Sequence, residues 1–481
     1  MAPNAAEKPV VSVSHNAGGP LTFHKQRVMV KISAPLAEGK TADLDIVAVM
    51  DISGSMAGTK LQLMKEAMRH VIEKLSPDDR LSVITFSSSV DLRHKKLTPM
   101  RPSEKDFLKK EVNNLNVGGG TNIRGGLQAG IEVLKERNKR EADGRTACIF
   151  LMSDGEQNQG GDARTVIEIP DFTVHTFGFG ARHEELVLSE IAYRSLSGVY
   201  SNVPDNKLNY LKEVMAAKLA IFRSVSVLDL KVTLTPTRAA PAIGPRKVTT
   251  PAIGRQEVGS ISVDAGDYVV TDGLAAGSRD ISFGDLARHE IRRIIVDIPL
   301  HGITTPIVNA EQVLKVDCSY RPPHGVNVPE TTVFAEVKLI RNETADQYAM
   351  EKDVKREMVR RGQAEYLRMV KSWTDKGDGY LNQAQREVGR AREALDDHFE
   401  GTDNKLSDEL YEELKNLSYL LVPKANADDY RKLCRAYLLA CLSSHGRQRY
   451  GGRGGKEGEA PFYLTDRIKK YIDEVKGNRI P

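Results

Sequence analysis

The sequence predicts an α/β fold, a doubly wound and mostly parallel sheet, joined to an all-β sandwich and a C-terminal helical bundle. Three observations carry this. From about residue 44 to 218, buried apolar runs such as LDIVAVM and RTACIFLMSD alternate with stretches of helical period. Such alternation places parallel strands between two layers of helices. From about 222 to 342 the apolar period falls to two, with turn residues between the runs, as in a sandwich. From about 345 to 445 four segments carry apolar stripes at helical spacing, with short breaks between them. The expected boundaries are 1–40 for N-terminal strands joining the sandwich and 41–220 for the α/β domain. The sandwich then takes 221–343 and the helical region 344–445. A flexible tail with a short amphipathic helix takes 446–481.

The elements follow in order. VVSVSHN and RVMVKIS alternate apolar and polar residues and read as two half-exposed strands. They have no partner nearby in sequence, and a lone hairpin is marginal in water, so insertion of the α/β domain into the sandwich is expected. APLAEGKTADL is a linker. LDIVAVM is a buried strand and KLQLMKEAMRHVIEKL a helix with Leu63, Ala67, Val71 and Leu75 on one stripe. RLSVITFS is the next strand, and VDLRHKKL returns as an antiparallel edge. SEKDFLKKEVNNL and IRGGLQAGIEVLKERN are helices on either side of a Gly-rich loop. RTACIFLMSD, FTVHTFGFG and GVYSNV are strands, with HEELVLSEIAYRS and NKLNYLKEVMAAKLAIF as helices. The sandwich strands run from VSVLDLKVTLTP to TTVFAEVKLIR. The four helical segments end with ADDYRKLCRAYLLACL, the Gly-rich HGRQRYGGRGGKEGEAP is the flexible stretch, and LTDRIKKYIDEVKG closes the chain.

Composition narrows the function classes. A formal net charge of +4 over 481 residues is too small to imply nucleic acid as a partner. MAPNAAEKPV lacks the basic and apolar regions of a secretory signal. No apolar run reaches the 18 residues that a membrane span needs. The four cysteines are too dispersed for a disulfide framework or a zinc site, and Cys434 and Cys441 share a buried helical face. The chain therefore reads as intracellular and cytoplasmic, and the sequons at Asn342 and Asn416 carry no meaning.

Five residues on three separated loops point to chemistry. Asp51, Ser53 and Ser55 follow the first apolar run in LDIVAVMDISGSMAG. Thr121 follows three glycines in NVGGGTNI, and Asp154 ends the run CIFLMSDGEQN. Strands that end in hydroxyls and carboxylates present them at the C-terminal edge of the sheet, where open α/β sheets bind ligands. An all-oxygen set without Cys or His suits a hard divalent cation, magnesium first, with manganese or calcium as alternatives. The competing reading is helix capping by Ser53, Ser55 and Thr121, which can coexist with metal binding.

Strand context, order and the five residues resemble the metal-ion-dependent adhesion site of von Willebrand factor A-type domains. The resemblance implies that Ser53, Ser55 and Thr121 coordinate the metal directly, while Asp51 and Asp154 act through water and hydrogen bonds. It also implies an open coordination position that takes a Glu or Asp of a partner protein. The whole layout is similar to intracellular plant proteins that join this domain to a β-sandwich and a Vwaint-type helical region. Many of those carry a RING module and are ubiquitin ligases. This chain shows no Cys/His cluster, so ligase activity is not expected from it.

Other motifs take plain readings. Gly118, Gly119 and Gly120 permit a close turn, since no Lys-Ser/Thr follows to make a phosphate loop. Gly39-Lys40-Thr41 ends a linker that lacks the first glycine of a Walker motif. The histidines, His70, His94, His175, His183, His289, His301, His324, His398 and His445 among them, are scattered with no zinc or triad spacing. His175 is a core residue, Glu156 a solvated loop charge, and the single RGG copy a linker. The expected function is a non-enzymatic protein-binding module acting through a divalent metal. The alternatives are a component of a ubiquitin-ligase system and a scaffold with a vestigial site.

Overall fold

Alternating residues near the N-terminus form β1 (Val10–Ser14) and β3 (His24–Ser33), with the two-residue β2 (Gly18–Gly19) between them. The computed structural model describes residues 8–36, 40–166, 172–180, 183–204, 210–237, 260–324, 331–342, 350–398, 404–422, 427–454, 463 and 465–477. The chain divides into two units, one of residues 1–40 and 226–360, the other of residues 41–225 and 361–481.

The α/β part of the second unit begins with β4 (Asp43–Asp51), α1 (Thr59–Lys74), β5 (Arg80–Phe86) and β6 (Val90–Pro99). It continues through α2 (Pro102–Asn113), α3 (Ile123–Lys135), α4 (Lys139–Ala142), β7 (Arg145–Ser153) and β8 (Thr173–Phe179). It ends with α5 (Glu185–Arg194), β9 (Tyr200–Val203) and α6 (Tyr210–Phe222). Six strands form one sheet in the order β6-β5-β4-β7-β8-β9. All neighbours are parallel except β5 and β6, which are antiparallel. The doubly wound, mostly parallel fold expected from the alternation is the fold found. From β4 the chain builds outward to β6, then crosses back to β7 on the other side of β4. The gap between the ends of β4 and β7 is therefore the topological switch point, the place for a ligand site in such sheets.

Both faces of the sheet are covered, so β7 and β8 have almost no exposed position. α1 buries Leu61, Met64, Ala67, Met68, Val71 and Ile72. The stripe thus starts at Leu61 and Met64, and Leu63 sits at its half-buried margin. Asp45, at the opposite end of β4 from Asp51, is fully buried among Arg80, Arg137 and Arg145. His175 lies wholly buried on β8 and accepts Val199 N–H on Nδ1 at 3.1 Å.

The next strands belong to the first unit: β10 (Val225–Pro236), β11 (Ser262–Asp264), β12 (Val270–Asp272), β13 (Arg279–Ala287), β14 (Ile291–Leu300), β15 (Ile307–Arg321) and β16 (Thr332–Arg341). They form a four-stranded sheet, β1-β3-β14-β11, and a six-stranded sheet, β12-β13-β10-β15-β16-β2. β3 pairs antiparallel with β14 over ten positions, from Ser33↔Ile291 to His24↔Leu300. Between the sheets, Val28, Val30 and Ile32 of β3 and Ile294, Val296 and Ile298 of β14 share a core with Val232, Leu234, Leu314 and Val316. Two sheets with inward-alternating apolar residues are a sandwich.

The C-terminal helices are α7 (Lys352–Asp375), α8 (Leu381–His398), α9 (Asn404–Leu420), α10 (Ala427–Arg447) and α11 (Asp466–Gly477). Residues from 361 onward cluster with residues 41–225 and do not form a unit of their own. α10 packs on α5 and β9, and α11 packs on α6. The flexible-tail expectation fails for residues 448–454. Arg449, Tyr450 and Arg453 are at most 2% exposed. Asn202 N–H donates to Gly452 O at 2.8 Å, and Gly452 N–H donates to Ser201 Oγ at 3.2 Å. The glycines lay this segment along β9, because a Cβ on Gly451 would stand 2.7 Å from Val199 Cγ1. The break at 423–426, the tail at 455–462 and part of the 34–44 linker lie outside the described residues. No helix among the described residues is long and apolar enough to cross a membrane.

Candidate metal centre

Asp51 ends β4, and Ser153 ends the neighbouring β7, with Asp154 next in the chain. Two carboxylates on adjacent strand ends are thus set side by side at the switch point. Asp51, Ser53, Thr121 and Asp154 are at most 3% exposed, while Ser55 is exposed.

The first loop leaves β4 and makes one 3-10 turn at Gly54–Met56 before α1. Asp51 Oδ1 accepts the Ser53 backbone N–H at 2.7 Å, which folds the loop back over the carboxylate. Ser53 and Ser55 then meet hydroxyl to hydroxyl at 3.0 Å, and Ser55 Oγ donates to Asp154 Oδ1 at 2.7 Å. The second loop is drawn in by Gly54 N–H, which donates to Gly119 O at 2.9 Å. The three glycines before Thr121 serve close approach between loops. A Cβ on Gly118 would stand 2.5 Å from Ser87 Oγ, and one on Gly120 would stand 2.6 Å from Asn158 Oδ1.

Capping does not occupy these hydroxyls. Ser53 precedes the 3-10 turn without a side-chain cap hydrogen bond, and Gly58 stands at the N-cap of α1. α3 is capped by Asn122, whose Oδ1 accepts Gly125 N–H at 2.8 Å, and not by Thr121. Instead Thr121 and Ser55 face one small space over Gly155. A Cβ built on Gly155 would lie 2.9 Å from Thr121 Oγ1 and 3.2 Å from Ser55 Oγ. The structure therefore brings all five residues together.

The electrostatics of the cluster fit a cation. Burial pushes the Asp51 carboxyl up to about 6, against hydrogen bonds from Ser153 and Ser53, and the neighbouring charge of Asp154 pushes the same way. Two buried carboxylates in mutual repulsion, with three hydroxyl oxygens beside them, match the oxygen preference of a hard divalent ion. Among the described residues no three His, Cys, Asp or Glu side chains gather. A metal reading thus rests on hydroxyls and two carboxylates.

Four supporting residues escaped the sequence reading. Ser153 Oγ donates to Asp51 Oδ2 at 2.6 Å. Lys60 Nζ donates to Asp154 Oδ2 at 2.6 Å. Asn158 Oδ1 accepts Thr121 N–H at 2.9 Å, and Ser88 Oγ accepts Gly120 N–H at 2.7 Å. Ser153 alone had a signal, as the residue before Asp154 at the end of an apolar run. Glu156, at the rim, is 58% exposed and pairs with Lys432 of α10.

Comparison with known proteins supplies a family description for the sequence of this region. The sequence model of the von Willebrand factor type A domain fits residues 45–216. Residues 45–216 are a von Willebrand factor type A domain. The chain is 32% identical over 205 residues to an uncharacterized protein of Synechocystis sp., covering 41% of this chain and 47% of that protein. It is 29% identical over 288 residues to the E3 ubiquitin-protein ligase WAV3 of Arabidopsis thaliana, covering 60% of this chain and 35% of that ligase. The chain thus spans less than half the length of either relative. Among solved structures it is similar to a von Willebrand factor type A protein from Catenulispora acidiphila. The TM-score is 0.67 at 16% identity, over 92% of this chain and 98% of that one. That likeness is one of fold.

Proposed function

We propose that this chain is a non-enzymatic protein-binding module that grips a Glu or Asp of a partner protein through a divalent cation, magnesium first, held in its A-type domain. The observation that supports this is the convergence of Ser53, Ser55, Thr121, Asp51 and Asp154 from three loops on one space. Ser53, Ser55 and Thr121 would hold the ion by their hydroxyls. Asp51 holds the first loop in place through the Ser53 N–H, and Asp154 orients the Ser55 hydroxyl. When bound, the ion supplies positive charge and an open position for an incoming carboxylate. Calorimetry on the full chain tests the site. Magnesium should bind once, and Asp51→Ala should abolish binding; unchanged affinity in that variant would sink the reading. An affinity capture repeated in magnesium and in chelator tests the partner side.

A role within a ubiquitin-ligase system is the second reading. It is favoured by the similarity to WAV3, which extends over 288 residues and so beyond the A-type domain alone. Discharge of ubiquitin from a charged conjugating enzyme, with the purified chain as sole ligase, tests for ligase activity in the chain itself, and turnover would support the second reading over the first.

A further inference from the structure

Asp154 divides its two oxygens between unlike partners. Oδ1 takes the Ser55 hydroxyl at 2.7 Å, and Oδ2 takes the Lys60 ammonium at 2.6 Å. The carboxylate is fully buried and the Lys60 side chain 22% exposed, so the pair is only partly screened by solvent. Lys60 stands in the first turn of α1, where the helix dipole disfavours a cation. The ion pair with Asp154 offsets that penalty. Gly58, at φ +78°, is the backbone device that starts α1 directly after the serine loop and returns residue 60 to the site.

We propose that Lys60 sets the charge of this centre, and with it the balance between cation uptake and anion capture. The inference rests on the metal reading given above. Two carboxylates would balance a dication and leave an incoming anion little to bind. With the Lys60 ammonium beside Asp154, one positive charge is left over at the site. The same ammonium repels the dication itself. Lys60 therefore weakens metal uptake and strengthens the hold on a carboxylate ligand, so the cation stays loosely held until an acidic partner arrives with it. Coulomb's law gives the sign of both effects, and the partial exposure of Lys60 moderates their size.

The test uses the full chain as wild type, Lys60→Gln and Lys60→Arg, titrated with magnesium chloride alone by calorimetry. Each magnesium-saturated protein is then titrated with glutarate as a carboxylate probe. Removing the charge should tighten magnesium binding about tenfold and weaken glutarate binding about tenfold, while Lys60→Arg should follow wild type. Thermal unfolding with and without magnesium gives a second readout should Lys60→Gln fold poorly. The rise in melting temperature on adding magnesium should be larger in Lys60→Gln than in wild type. Magnesium binding by wild type with equal or weaker binding by Lys60→Gln overturns this proposal and leaves the metal reading standing. Absence of magnesium binding in all three proteins overturns the metal reading and this proposal with it.

Discussion

Ser153 Oγ donates a 2.6 Å hydrogen bond to Asp51 Oδ2, from the end of β7 to the end of β4. The other carboxylate oxygen takes the Ser53 N–H. Asp51 thus ties two strand ends and one loop together while wholly buried. Ser153→Ala would leave a buried carboxylate one partner short, which costs about 1–3 kcal/mol. Chemical denaturation of the full chain measures it. An unchanged midpoint would show that the bond contributes nothing net.

Asp45 anchors the other end of the same strand. Its carboxylate accepts Arg80 Nη2 at 2.6 Å, Arg145 Nε at 2.9 Å and Arg137 Nη1 at 3.1 Å. Burial pushes its carboxyl up, but the three guanidinium groups outweigh this and hold it below the ordinary value. Asp45→Asn removes the charge that three nearly buried arginines share, a loss of about 3–5 kcal/mol. The variant should unfold at clearly lower denaturant, and a shift below about 1 kcal/mol would contradict the account.

Glu413 gives a prediction for acid. It is fully buried between Gln363 at 2.6 Å, Arg453 at 2.7 Å and His445 at 3.0 Å. Burial alone would raise its carboxyl, yet the charges of His445 and Arg453 and the hydrogen bonds lower it from 4.5 to about 2. A carboxyl lowered on folding stabilises the fold fully above its unfolded value and loses that contribution as pH falls through its folded one. Stability should therefore fall between about pH 4.5 and 2, and Glu413→Gln should flatten that limb. Parallel acid limbs in wild type and variant would refute it.

Deleting residues 1–34 removes β1, β2 and β3. Val28, Val30 and Ile32 of β3 are fully buried, and each such side chain contributes about 1.5–3 kcal/mol. That loss is comparable to the whole stability of a domain. Hydrogen exchange should show lost protection across residues 225–340, with residues 41–220 still protected. Retained protection in the 225–340 strands would mean that the sandwich closes without β3.

Much of this protein is legible in its chain because burial imposes period. A strand covered on both faces must read as an unbroken apolar run, as β4 and β7 do, and a half-covered one must alternate, as β10 does from Leu230 to Thr235; β3 departs from alternation at Met29, which is buried on its second face. The ends of the runs then mark the sheet edge, and Asp51, Ser53, Ser55, Thr121 and Asp154 stand out as polar residues in that position. Tertiary structure alone decides what period cannot encode. Which loops converge is one such matter, so Lys60, Asn158 and Ser88 are ordinary polar residues until the fold brings them to Asp154, Thr121 and Gly120 respectively. The pairing of β3 with β14, some 260 residues later in the chain, is another, since an apolar face states that it needs cover and not by what. The segment from Gln448 to Gly454 is the sharpest case. Its glycines and arginines read as a solvated linker, yet backbone bonds to Ser201 and Asn202 hold it in place. Hydrogen-bonding capacity is the same for every non-proline backbone, so sequence carries no mark of where such a bond is made.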